Sequence, residues 1–211
     1  PFRFLFPRKK HIFLPYYPDL AYIHPAPVNE ITQECRVLYA GALTKEKGWK
    51  RVMDTMCEAA KKMPQTHFYL DVITKDDCLD LPTYDNLSVR KLDFMPFLQF
   101  CRQIVDYDIF LDLRDIDFEN TRCLPIKLFY YMACGRPSIY ANLSAISKGV
   151  SEIHQCAQLV NNVVEAANAL CEYVCNRELY QSHCSNALHA SINKYNWNHI
   201  KYSFIQFIHE V

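Results

Sequence analysis

Two loops in this chain carry residue types that could meet an anion. The first is Tyr39-Ala40-Gly41-Ala42-Leu43-Thr44-Lys45-Glu46-Lys47-Gly48. A glycine at a strand end lets backbone approach a ligand, and the helix N-terminus that follows favours negative charge. Lys47 adds a point charge suited to a phosphate, although lysines ahead of a helix are usually just solvated. The second is Leu124-Pro125-Ile126-Lys127-Leu128-Phe129-Tyr130-Tyr131-Met132-Ala133-Cys134-Gly135-Arg136-Pro137. Lys127 is the single charge in the apolar stretch 123–135, in the first turn of a helix that follows a strand. There it could meet a phosphate or a ribose oxygen, or it could simply face water.

Other groupings offer less chemistry. Asp112, Asp115, Asp117 and Glu119 are spaced like no calcium loop and read as strand-end and loop solvation. The eight histidines never pair at i, i+4 around a glutamate, and single ones such as His67 and His154 read as structural. The ten cysteines are scattered and hold no zinc spacing. Cys171 and Cys175 lie one helical turn apart. The thiols are expected to be reduced, as in a cytoplasmic protein. Metal ligands are therefore expected to be absent.

The elements that position these loops follow from periodicity. Apolar strand patterns occur at 36–40, 67–73, 87–92, 108–113, 138–141 and 157–160. Helical patterns fall at 52–63, 97–105, 124–134, 163–175, 177–193 and 197–210. In the 124–134 helix Pro125 is tolerated in the first turn, Gly135 suits the C′ position and Pro137 prevents continuation. Asn196 is the expected N-cap of the last helix, which sets Trp197, Ile200, Phe204, Ile208 and Val211 on one face. Such alternation predicts an α/β, Rossmann-like, mostly parallel sheet with helices on both faces. Ligands of such sheets bind beyond the C-terminal strand ends, which directs attention to loops 41–48, 74–86, 93–96, 114–124 and 141–150.

Composition bounds the rest. The chain has 211 residues, 50% apolar and 22% charged, as a globular chain with a core requires. Its 23 basic and 23 acidic residues cancel, so no global field draws it to nucleic acid. No apolar run is long enough for a membrane span. Six prolines within residues 1–34 break any long helix there, leaving room for one short strand at 12–14. That stretch is expected to be an interdomain arm or linker, with residues 35–211 forming the domain. Arg3, Arg8, Lys9 and Lys10 interleave with Phe2, Phe4, Leu5 and Phe6. They could touch an anionic membrane surface, but without a helical moment they read as part of a solvated arm. The chain begins with Pro1, which suggests that an N-terminal portion precedes it.

The second loop resembles the pattern P-x-K-x-x-E-Y-M-A-C-G-x-P of the C-terminal, donor-binding domain of GT-B glycosyltransferases of the family-four type. The first loop resembles the G-R-L-x-x-E-K-G element of the same superfamily. Asp106–Leu113 is similar to its strand ending in "aDifl", Gln158–Val160 to its G-x-L-V strand, and Tyr195-Asn196-Trp197 to the start of its terminal helix. Leu14–Asp19 is similar to the segment that opens such domains, so the likeness spans essentially the whole chain. It implies transfer of a sugar from a nucleotide-sugar donor to a glycan or lipid-linked acceptor. It also implies chemistry without a metal or other cofactor, and a separate N-terminal domain that brings the acceptor and any general base. The implied setting is the cytoplasm, at or near the inner face of a membrane.

Residue by residue the resemblance is incomplete. The family's lysine falls on Lys47, but its diphosphate-binding arginine falls on Ala42 and its ribose-binding glutamate on Tyr130. The acidic position eight residues earlier falls on Arg122, and the glycine-rich turn after the second strand has become Thr74-Lys75-Asp76-Asp77. The implied donor-binding residues are thus Gly41, Lys47, Arg122, Lys127 and Tyr130, with no catalytic residue assigned. Arg122 could supply the cation that Ala42 cannot; Tyr130 could offer its hydroxyl to a ribose, or pack. Each charge-assisted hydrogen bond is worth about 1.5–3 kcal/mol, so losing two would weaken a donor site badly unless Arg114, Arg122 or Lys127 compensates. The alternatives are a GT-B-like module degenerate at the donor site and kept for protein interaction, and, against the 124–137 pattern, an epimerase or phosphorylase of the same architecture.

Overall fold

The structure is a computed structural model that describes residues 12, 14–28, 30–77 and 84–210. Six strands form one sheet: β1 (Glu34–Ala40), β2 (His67–Thr74), β3 (Leu87–Asp93), β4 (Ile109–Asp112), β5 (Ser138–Ala141) and β6 (Ala157–Val160). All neighbours pair parallel, in the order β3-β2-β1-β4-β5-β6. The strands β4 and β5 are buried along their whole length, which is why they read as short, mainly apolar runs.

The helices are α1 (Trp49–Lys62), α2 (Phe97–Gln103, continued by a 3-10 turn, Ile104–Asp106), α3 (Ile126–Ala133), α4 (Ser144–Gly149), α5 (Ile153–Cys156), α6 (Val163–Cys175), α7 (Arg177–Asn193) and α8 (Trp197–His209). Successive strand residues point to opposite faces, so β1 feeds two cores. Val37 and Tyr39 join Val52 and Met56 of α1 and Leu170 of α6 on one side. Leu38 and Ala40 join Leu128 and Met132 of α3 and Ala187 of α7 on the other. The short helices α4 and α5 have no counterpart in the sequence reading, because six and four residues are too few to establish a period. Pro125 stands just before α3 as its N-cap rather than inside its first turn.

Residues 14–28 and 30–34 lie against the domain. Tyr17 packs edge-on against Phe129 and Tyr195, Ile23 is buried in the core, and Arg136 donates to the Ala26 and Pro27 carbonyls. Ile12 and Leu14 are not in a strand, and Phe13 lies outside the described residues, as do the basic and aromatic residues 2–10. Asn196 caps α8 through its side chain, which accepts from the Asn198 N–H, and Trp197 N–H donates to the Pro18 carbonyl. Among the described residues, nothing buries the apolar face expected on α8: Trp197, Ile200 and Phe204 are half-buried and Ile208 is exposed. Val211 lies outside the described residues. The nine described cysteines are all free, and no described helix is long and apolar enough to cross a membrane.

Candidate nucleotide-sugar site

The strand order reverses at β1, whose neighbours are β2 on one side and β4 on the other. Chains leaving the C-terminal ends there diverge and leave a crevice. β1 ends at Ala40, and the Gly41 N–H still donates to the Ile73 carbonyl of β2 at 3.1 Å. Loop 41–48 is then tied down from below: the Tyr39 hydroxyl donates to the Ala42 carbonyl at 2.6 Å and reaches the Lys47 carbonyl at 3.2 Å. A Cβ on Gly41 would stand 2.9 Å from the Tyr39 hydroxyl, so the glycine makes room for that anchor. Gly48, at φ +79°, has a stricter need: a Cβ there would stand 2.1 Å from the Leu113 carbonyl oxygen.

Over these strand ends lies a cavity of about 520 Å³. Its floor is Ala40–Ala42 and Ile73, its aromatic wall Phe94, Phe97 and Phe100, and its rim Thr74–Asp76; Lys127 comes in from α3. Lys75 lays its ammonium 4.2 Å over the Phe94 ring, fastening one wall. The Asp76 Oδ2 accepts from the Leu43 N–H at 2.5 Å, joining the loop after β2 to the loop after β1.

Lys127 is half-buried, and among the described residues no hydrogen bond or ion pair engages its ammonium. Burial pulls its pKa down; Asp112 opposes this, while Arg114 and Lys47 add to it. Beneath it, Asp112 and Arg114 form a buried two-toothed pair at 2.8 and 2.5 Å. Burial disfavours the Arg114 charge, but the hydrogen bonds and charge of Asp112 outweigh it and hold the pKa above the usual guanidinium value. Asp112 is therefore not solvated as the sequence suggested. Asp117 instead folds its own turn, accepting from the Asn120 N–H and side-chain amide. Among the described residues no group of three or more His, Cys, Asp or Glu side chains could hold a metal ion.

Of the five residues singled out in the sequence, Gly41 and Lys127 line the cavity. Lys47 is exposed on the adjoining loop, near enough for its charge to act on Lys127. Tyr130 is half-buried and sets its ring edge-on against Phe97, centroids 5.8 Å apart; burial raises its phenol pKa. Arg122 does not line the cavity: its guanidinium stacks 3.4 Å over the Phe118 ring and donates to the Phe118 carbonyl. Thr74–Asp76 and Phe94–Phe100 lie in or just beyond loops flagged as strand-end loops, but no residue type in them signalled a site. A second cleft, about 440 Å³, lies by the first half of β1; its Asp71 is already bound by Arg90 and Tyr107.

No protein-family model and no curated protein matches the sequence. Solved structures do match. The fold is that of the C-terminal domain of GT-B glycosyltransferases. The C-terminal domain of LpcC, a glycosyl transferase group 1 family protein from Francisella tularensis, superposes with TM-score 0.63 at 14% identity, covering 85% of this chain and 98% of that one. Sucrose-phosphate synthase from Thermosynechococcus elongatus matches with TM-score 0.63 at 16% identity, over 92% of this chain and 51% of its own. The pneumococcal O-GlcNAc transferase GtfA, solved with UDP and GlcNAc, matches with TM-score 0.63 at 12% identity, over 92% and 38%. The chain thus spans about half or less of these longer enzymes.

Proposed function

We propose that this chain is the donor-binding half of a glycosyltransferase that moves a sugar from a nucleotide sugar to a glycan or lipid-linked acceptor. The observation that carries the reading is Lys127: a half-buried ammonium, unpaired among the described residues, in an aromatic-walled cavity at the C-terminal strand ends. A cation left so is costly until an anion compensates it. A diphosphate at this position would restore that charge. It would also meet the start of α3, where the Ile126 and Lys127 amides precede the first bond of the helix, from the Leu128 N–H to the Pro125 carbonyl at 3.2 Å, and the backbone of loop 41–48. As the glycosidic bond to the diphosphate breaks, negative charge grows on the leaving oxygen. Lys127, with Lys47 nearby, would stabilise it, a role that requires no metal. The acceptor and any general base would come from a separate N-terminal domain.

Calorimetric titration with UDP, GDP and ADP tests this. At least one should bind, and Lys127→Ala should weaken it by about 1.5–3 kcal/mol while the matching nucleoside is little affected. Binding indifferent to Lys127 would place the site elsewhere. A second reading, a module that keeps the fold without a donor site, draws on Tyr130, whose ring is taken up by Phe97. No nucleoside diphosphate bound at millimolar concentration would favour it.

A further inference from the structure

We infer that Asp76 is the residue with which this site selects a nucleoside from a bare phosphate, by accepting a hydrogen bond from an N–H or O–H of the nucleoside. The inference rests on the reading of the cavity as a nucleotide-sugar site and adds a specificity residue to it. Asp76 is the one carboxylate among the described residues that line the cavity. It is held in place at both ends. Its Oδ2 accepts from the Leu43 N–H at 2.5 Å, and its own N–H donates to the Thr74 hydroxyl at 3.2 Å. Its side chain is half-buried, and the Leu43 bond occupies only part of its acceptor capacity, since a carboxylate accepts up to four hydrogen bonds.

No other side chain of the described lining can do this work. Lys75 and Lys127 are donors without acceptor capacity, and Lys75 is committed to the Phe94 face. Thr74 is buried and its hydroxyl already serves Asp76. Phe94, Phe97 and Phe100 offer ring faces and edges to a flat body and read no polar atom. Tyr130 is turned onto Phe97. A ligand with a flat ring, a donor group and an anion therefore finds one side-chain partner of each kind in the described lining: the aromatic wall, Asp76 and Lys127. A carboxylate would repel a phosphate placed against it, so Asp76 must meet the uncharged part of the ligand.

The test is titration of the full chain and its Asp76→Asn variant with UDP, 2′-deoxy-UDP and inorganic pyrophosphate. Asn keeps a side-chain oxygen for the Leu43 N–H while removing the charge. Asp76→Asn should weaken UDP about ten- to a hundredfold and leave pyrophosphate unchanged or slightly tighter. If the partner is the ribose 2′-hydroxyl, 2′-deoxy-UDP binds wild type as weakly as UDP binds the variant. If it is an N–H of the base, 2′-deoxy-UDP follows UDP in both proteins. UDP binding unchanged or tightened in Asp76→Asn overturns the inference and leaves the donor-site reading standing. Failure of wild type to bind UDP, GDP or ADP at all overturns both.

Discussion

Replacing Arg114 by Met would leave the Asp112 carboxylate, only 10% exposed, with its two guanidinium hydrogen bonds gone. Breaking one side of such a buried pair costs about 3–5 kcal/mol, most of it the stranded charge. Little solvent screening discounts that figure here, because the Arg114 side chain is only 11% exposed. Lys127 already feels the Asp112 charge and would recover part of it, which points to the lower end of the range. The double variant Asp112→Leu/Arg114→Met removes both charges and should lose much less than the single variant, since apolar replacement of a buried pair is often close to neutral. Urea unfolding of wild type, Arg114→Met and the double variant measures both differences, with an unchanged m-value confirming that only stability moved. A single-variant loss below about 1 kcal/mol, against the roughly 3 kcal/mol expected for a stranded buried charge, would refute the argument. So would a double variant less stable than the single one.

Two further outcomes follow from the geometry. Gly48→Ala should cost more than the about 1–2 kcal/mol that a left-handed backbone alone exacts, because its Cβ would collide with the Leu113 backbone; a loss within about 0.5 kcal/mol in urea melts would contradict this. Burial works against the Glu152 carboxylate, but hydrogen bonds from Tyr195, Ser151 and Lys194 prevail and lower its pKa from 4.5 to about 2. Its folded pKa is thus depressed, so its stabilisation is present above pH 4.5 and is lost as pH falls towards 2. The urea midpoint of Glu152→Gln should accordingly fall less than that of wild type across that window, and parallel curves would show that Glu152 contributes nothing.

The six strands and the long helices were legible because each announces itself locally. The buried parallel strands Ile109–Asp112 and Ser138–Ala141 show as the apolar runs 109–111 and 139–141, and α6, α7 and α8 begin at residues the periodicity marks. Gly135, at φ +64°, and Asn196 act at the helix ends where their types alone place them. The 124–137 segment likewise carried the GT-B resemblance that the fold bears out. The apolar stripe of α8 was legible too, but whether a stripe is covered depends on what lies opposite, and none of the described elements buries it.

The site was legible only as a set of strand-end loops. Residues 40–42, 73–76, 94–97, 100 and 127 meet in one cavity because β1 lies between β2 and β4, an order no local spacing encodes. The same distance in sequence hid the competition for each charged or aromatic group. Arg122 goes to Phe118, Arg114 to Asp112 and the Tyr130 ring to Phe97, while Lys127 is left without a hydrogen-bond or ion-pair partner among the described residues. Residue type sets what a side chain can bind; which side chains remain unpaired is settled only when packing has brought every possible partner into reach or kept it away.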